Sequence, residues 1–126
     1  MMSLRARRLT WLAALVATTA PVLADGDATR GEKRFVDCVA CHSTESGVNN
    51  IGPSLSGLFN RKAGEVADFR YSPALKRSGI TWTPTSLDTF LADPQKMVPA
   101  NRMPYAGMPD AADRADLIAY LQKAAK

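Results

Sequence analysis

Only two cysteines and one histidine occur in this chain of 126 residues, and they fall together as Cys38-Val39-Ala40-Cys41-His42. Under uniform placement such a cluster arises with a probability on the order of 10⁻⁴, so it calls for a chemical reason. Two thiols one helical turn apart can each add to a vinyl group of one haem, and the adjacent imidazole then reaches the iron. A chain built this way folds around the ring it carries.

Other readings of the same residues fit less well. A disulfide between Cys38 and Cys41 closes too short a loop to constrain the unfolded chain much. A thioredoxin-like redox pair calls for a strand ahead of the motif and a βαβ context, which the sequence does not offer. Zinc needs a fourth ligand that no second His or further Cys supplies.

The N-terminus carries Arg5, Arg7 and Arg8 ahead of an apolar run from Leu9 to Ala20, then Val22-Leu23-Ala24. This pattern predicts a secretory signal peptide over residues 1–24, cleaved after Ala24, with one domain over 25–126. The run is about a dozen residues where a spanning helix needs roughly twenty, so no stable membrane anchor is expected. Export to an oxidising compartment agrees with a chain whose only two cysteines are committed to thioethers.

The full sequence has 16 basic and 12 acidic residues, a net charge of +4. Loss of the three N-terminal arginines leaves 13 against 12, a net +1. With no basic patch, like-charge run or repeat, nucleic acid is excluded as a partner. Proline and glycine are plentiful between residues 47 and 109, and so small a domain relies on a bound cofactor to complete its core.

An iron held by His42 on one face needs a ligand on the other, and methionine is the candidate. Met97 follows Asp93-Pro94, a helix-starting pair, and reads as a packing residue. Met103 and Met108 each precede a proline, which biases both toward extended backbone on a loop held by Pro99, Pro104 and Pro109. Spacing alone does not choose between them.

The chain resembles the class I cytochromes c, the mitochondrial cytochrome c and bacterial cytochrome c2 group, over nearly all of residues 25–126. The residues that carry the likeness are Gly31 and Phe35, the Cys38–His42 motif, Gly52-Pro53-Ser54-Leu55, Gly57-Leu58-Phe59-Asn60-Arg61-Lys62, Gly79-Ile80-Thr81-Trp82, and the run from Arg114 to Leu121. The resemblance implies a small all-α fold of several helices wrapped around one covalent haem c. It implies Met103 as the axial partner of His42, because Arg102-Met103-Pro104-Tyr105-Ala106-Gly107 matches the ligand segment of the family. It also implies that the Pro53 carbonyl accepts from the outer nitrogen of His42, and that Arg61, Tyr71 and Trp82 surround a buried propionate. Phe90, Leu75 and Asn101 depart from the tyrosine, asparagine and threonine common at their positions, and Asp37 stands where a lysine is usual.

Local signals agree with that fold. Asp27 caps a first helix that delivers Phe35 and Cys38. Thr83-Pro84 opens a segment with Leu87, Phe90 and Leu91 on one face, and Asp110 opens a terminal helix in which Leu117, Leu121 and Ala124 recur. Gly31 lets the first and last helices cross closely.

A haem ligated on both faces points to electron transfer and away from enzymatic chemistry. The function implied is a periplasmic, monomeric carrier of single electrons between larger redox proteins, such as a cytochrome bc1 complex, a terminal oxidase or a photosynthetic reaction centre. A dedicated electron acceptor for one exported dehydrogenase has the same requirements. A haem ligand sensor or weak peroxidase requires Met103 to leave the iron easily. The signal peptide favours a bacterial periplasm over a mitochondrion.

Overall fold

The computed structural model describes residues 25–126, so the expected signal peptide lies outside the described residues. Among the described residues six helices follow one another: α1 Ala28–Arg34, α2 Val36–Val39, α3 Pro73–Arg77, α4 Pro84–Ala92, α5 Pro94–Met97 and α6 Ala111–Ala124. Among the described residues extended pairing is limited to one bridge, Lys62 with Thr81. No described helix is long and apolar enough to cross a membrane. The all-α expectation is met.

Every helix but α2 starts where a short polar side chain replaces a missing intrahelical partner. The Asp27 carboxylate accepts from the Arg30 amide at 2.8 Å, and Lys33 and Arg34 close α1 at the negative end of its dipole. Thr83 and Ser86 form a reciprocal box at the start of α4, with Pro84 in the first turn. Asp93 caps α5 and Asp110 caps α6, as their spacing predicts. α3, too short to show a hydrophobic period, uses the same device: the Ser72 hydroxyl accepts from the Leu75 amide ahead of Pro73.

The first helix stops at Arg34, three residues short of Cys38. At Phe35 the chain shifts register, its amide shared between the Gly31 and Glu32 carbonyls, and α2 then carries Cys38. α1 crosses α6 at Gly31, which is buried where a Cβ would overlap the Asp116 carbonyl. The close crossing aligns the Asp116 carboxylate with the Arg30 guanidinium at 2.8 and 3.0 Å and the Asp27 amide at 2.6 Å. Those bonds, first from Arg30 and then from Asp27, hold the Asp116 carboxyl below its ordinary range. Phe35 and Tyr120 meet across the same crossing, ring centres 5.3 Å apart.

On the inner face of α4, Leu87, Phe90 and Leu91 are buried as their spacing predicts. On α6 the buried face is Leu117, Ile118 and Leu121, and Leu117 is wholly enclosed. The expected third repeat, Ala124, is only half-buried; Ala125, in the cap that ends the helix, enters the core instead.

Candidate functional site

The core is not solid. A cavity of about 310 Å³ opens among the helices, lined mostly by apolar side chains and by a few polar ones. Cys38, Cys41 and His42 line it, as do Pro53, Arg61, Tyr71, Trp82 and Met103. All eight residues singled out from sequence therefore meet at one place. Met97 and Met108 do not line it.

The loop after the motif folds back on it, with the Gly52 amide donating to the Cys41 carbonyl at 2.8 Å and the Leu55 amide to Ser43 at the same distance. This return brings the Pro53 carbonyl 2.7 Å from Nδ1 of His42. The imidazole donates there, which fixes the tautomer and leaves Nε2 as a free ligand nitrogen. Gly52 makes the approach possible, since a Cβ at that position would sit 2.7 Å from Nδ1. Burial, opposed by the Pro53 bond and assisted by the Arg61 charge, lowers the His42 pKa and favours the neutral ring that a metal needs.

Cys38 and Cys41 are half-buried free thiols. Burial first, then the charges of Asp37 and Cys41, pushes the Cys38 thiol up to about 11. A thiol held so far from ionisation is a poor disulfide-exchange nucleophile, which argues against the redox-pair reading. Among the described residues no group of three or more His, Cys, Asp or Glu side chains is placed to hold a bare metal ion. A single imidazole, two thiols and an apolar cavity suit a metal that arrives with its own equatorial ligands. The residues fit haem.

Met103 lies on the extended segment after α5, half-buried and packed against the core. Met108 is buried, and its amide donates to the Leu91 carbonyl at 2.7 Å. The two methionines that spacing leaves open occupy different places: Met103 lines the cavity, and Met108 sits in the buried packing outside its lining.

Arg61 donates to the Ser56 and Ser54 carbonyls at 2.6 and 3.1 Å, and burial lowers its pKa from the ordinary value. The Tyr71 hydroxyl accepts from the Val66 amide at 3.2 Å, and burial raises its pKa. Trp82 packs edge-on against Phe90 with centres 5.0 Å apart. Phe90 and Leu75, the apolar departures noted above, line the cavity beside them.

Two anchors were not visible in sequence. Arg114 donates to Asp88 at 2.7 Å and to the Met108 and Pro109 carbonyls at 2.8 and 2.9 Å, tying α6 to α4 and to the end of the methionine loop. Asn101 sits inside the start of that loop, with its side-chain amide engaged on both sides. The first bridges 26 residues and leaves no local signal.

A helical shell around a cavity that gathers two thiols, one imidazole and a thioether defines a c-type haem protein of class I architecture. Residues 28–125 match the family profile described as cytochrome c. The chain is 48% identical over 88 residues to cytochrome c2 iso-2 of Magnetospirillum fulvum, covering 70% of this chain and 92% of that protein. It is 44% identical over 99 residues to cytochrome c2 of Rhodoblastus acidophilus, covering 78% and 92%. The solved structure of cytochrome cH from Methylobacterium extorquens superimposes with a TM-score of 0.73 at 44% identity, over 78% of this chain and 99% of that one. The chain belongs to the cytochrome c family, in the c2 group of class I. It is an electron carrier of the kind that holds one covalently attached haem c.

Proposed function

We propose that the chain is exported through cleavage after Ala24, and that residues 25–126 work in the periplasm as a soluble, monomeric carrier. In this reading Cys38 and Cys41 would hold the haem by thioethers, and His42 and Met103 would bind its iron. Pro53 orients His42, and Arg61, Tyr71 and Trp82 form the polar surroundings of a propionate. The observation that carries the reading is the convergence of Cys38, Cys41, His42 and Met103 on one apolar cavity.

When bound, the haem supplies a one-electron couple, and the soft Met103 thioether favours its ferrous state. The protein's part would be to present His42 and Met103 to the iron and to exclude water with the apolar lining of the cavity. Val36, Val39 and Ile51, 65%, 56% and 74% exposed, flank the motif and the cavity. Exposed apolar side chains beside the motif, on a domain of expected net charge +1, suit brief contacts with larger redox proteins: a cytochrome bc1 complex, a terminal oxidase, a photosynthetic reaction centre or a dehydrogenase. The role is electron transfer without catalysis, and nucleic acid has no part in it.

Exposure of the reduced holoprotein to carbon monoxide at neutral pH tests the carrier reading against a sensor or peroxidase. The expected result is an unchanged spectrum, because Met103 keeps the sixth position filled. Prompt carbon monoxide binding overturns it.

A further inference from the structure

The geometry points to Asn101 as the residue that positions Met103, an inference that rests on Met103 being the axial ligand. Asn101 is 7% exposed although it lies on a loop. Its Nδ2 donates to the Pro94 and Val98 carbonyls, each at 2.9 Å, and its Oδ1 accepts from the Met103 amide at 2.9 Å. One side chain thus joins the body of α5 and the residue that follows it to the backbone of the ligand itself. Two amide donors and a carbonyl acceptor on one short side chain are needed for this, and asparagine alone supplies them at this length. The Asn101 backbone is held as well, its amide to Val98 and its carbonyl to the Gln95 side chain.

The clamp has work to do. Ala100, immediately before it, has φ of +67°, in the left-handed region that L side chains rarely adopt. Such a conformation persists only where the surroundings over-determine it, and the Asn101 bonds on either side of Ala100 provide that constraint. Loss of the clamp frees the turn to relax and carries the Met103 backbone with it. The methionine then competes less well for the iron against an external ligand, even where the fold survives.

Imidazole titration of the ferric holoprotein, followed by the weak far-red band that reports sulfur on the iron, tests this. The Asn101→Ala variant is expected to bind imidazole about tenfold more tightly than the native protein, the ratio that follows from leaving buried amide partners unpaired. Ile118→Val, a core substitution on α6 away from the cavity, should leave imidazole affinity close to native, so that general destabilisation is separated from positioning. Asn101→Thr, whose hydroxyl accepts from the Met103 amide and donates to one carbonyl, should give an intermediate increase. This variant serves as the test if the alanine variant does not fold. Native imidazole affinity in Asn101→Ala or, failing that variant, in Asn101→Thr overturns the inference. A native protein without the far-red band overturns the ligand assignment beneath it, which is a separate failure.

Discussion

Replacing Cys38 and Cys41 together with alanine is expected to yield a chain that retains no haem through denaturation and does not fold. Eight of the thirteen residues in the buried apolar cluster, Phe35, Leu58, Trp82, Leu87, Phe90, Leu91, Leu117 and Leu121, also line the cavity. The core is thus built to close on something. At about 24 cal/mol per Å³, an unfilled cavity of 310 Å³ costs about 7 kcal/mol, comparable with the ~5–15 kcal/mol that holds a whole domain folded. Non-covalent haem offers partial compensation, but without the thioethers only the reversible bonds of His42 and Met103 to the iron would hold it when the chain opens. Far-ultraviolet circular dichroism and haem staining after denaturing electrophoresis check both parts. Native helix content in a haem-free double variant would show that the cavity is no part of the folding driving force.

Gly31→Val is expected to lower the Tm of the holoprotein by about 10 °C or more, through a loss of about 3 kcal/mol or more. A Cβ there overlaps the Asp116 carbonyl oxygen, with the carbonyl carbon at 2.5 Å and the Tyr120 Cβ at 2.8 Å. The obstacle is helix backbone, which has no rotamer to give. Relief comes only by separating α1 from α6, and that takes apart much more than one contact. It parts Arg30 from the buried Asp116, Arg34 from Asp113 at 2.7 Å, and Phe35 from Tyr120. It also moves the segment that leads directly into Cys38. Differential scanning calorimetry of the oxidised protein measures the effect, and a Tm close to native would mean that the two helices cross with room to spare.

The parts of this structure that were legible in sequence are those whose chemistry is local. Cys38, Cys41 and His42 declare their cofactor within five residues, and Asp27, Thr83, Asp93 and Asp110 mark helix starts because each cap acts on an amide two or three residues away. Leu87, Phe90 and Leu91 gave the buried face of α4 by spacing alone. Arg61, Tyr71 and Trp82 came from a family likeness, since nothing in their own surroundings distinguishes a cavity-lining side chain from a surface or core one.

What was not legible depends on where separate segments meet. α3 is five residues long, too short to show a periodicity, although Ser72-Pro73 carried the same starting signal as Thr83-Pro84. Spacing does not choose between Met103 and Met108, because both precede proline in the same local pattern; the preference for Met103 came from the family likeness, and its place at the cavity depends on how the loop turns after Ala100. A positive φ at alanine is not what sequence predicts, and the bonds of Asn101 exist only once that turn is made. The break at Phe35, which ends α1 early and restarts it as α2, likewise has no breaker residue to announce it.

The central claim is that Met103, with His42, closes the iron of an electron carrier. The most direct test is the absorption spectrum of the ferric protein in its native form and as Met103→Ala and Met108→Ala. A weak far-red sulfur-to-iron band is expected in the native protein, lost in Met103→Ala and kept in Met108→Ala. A band that survives in Met103→Ala, or that is missing from the native protein, contradicts the claim.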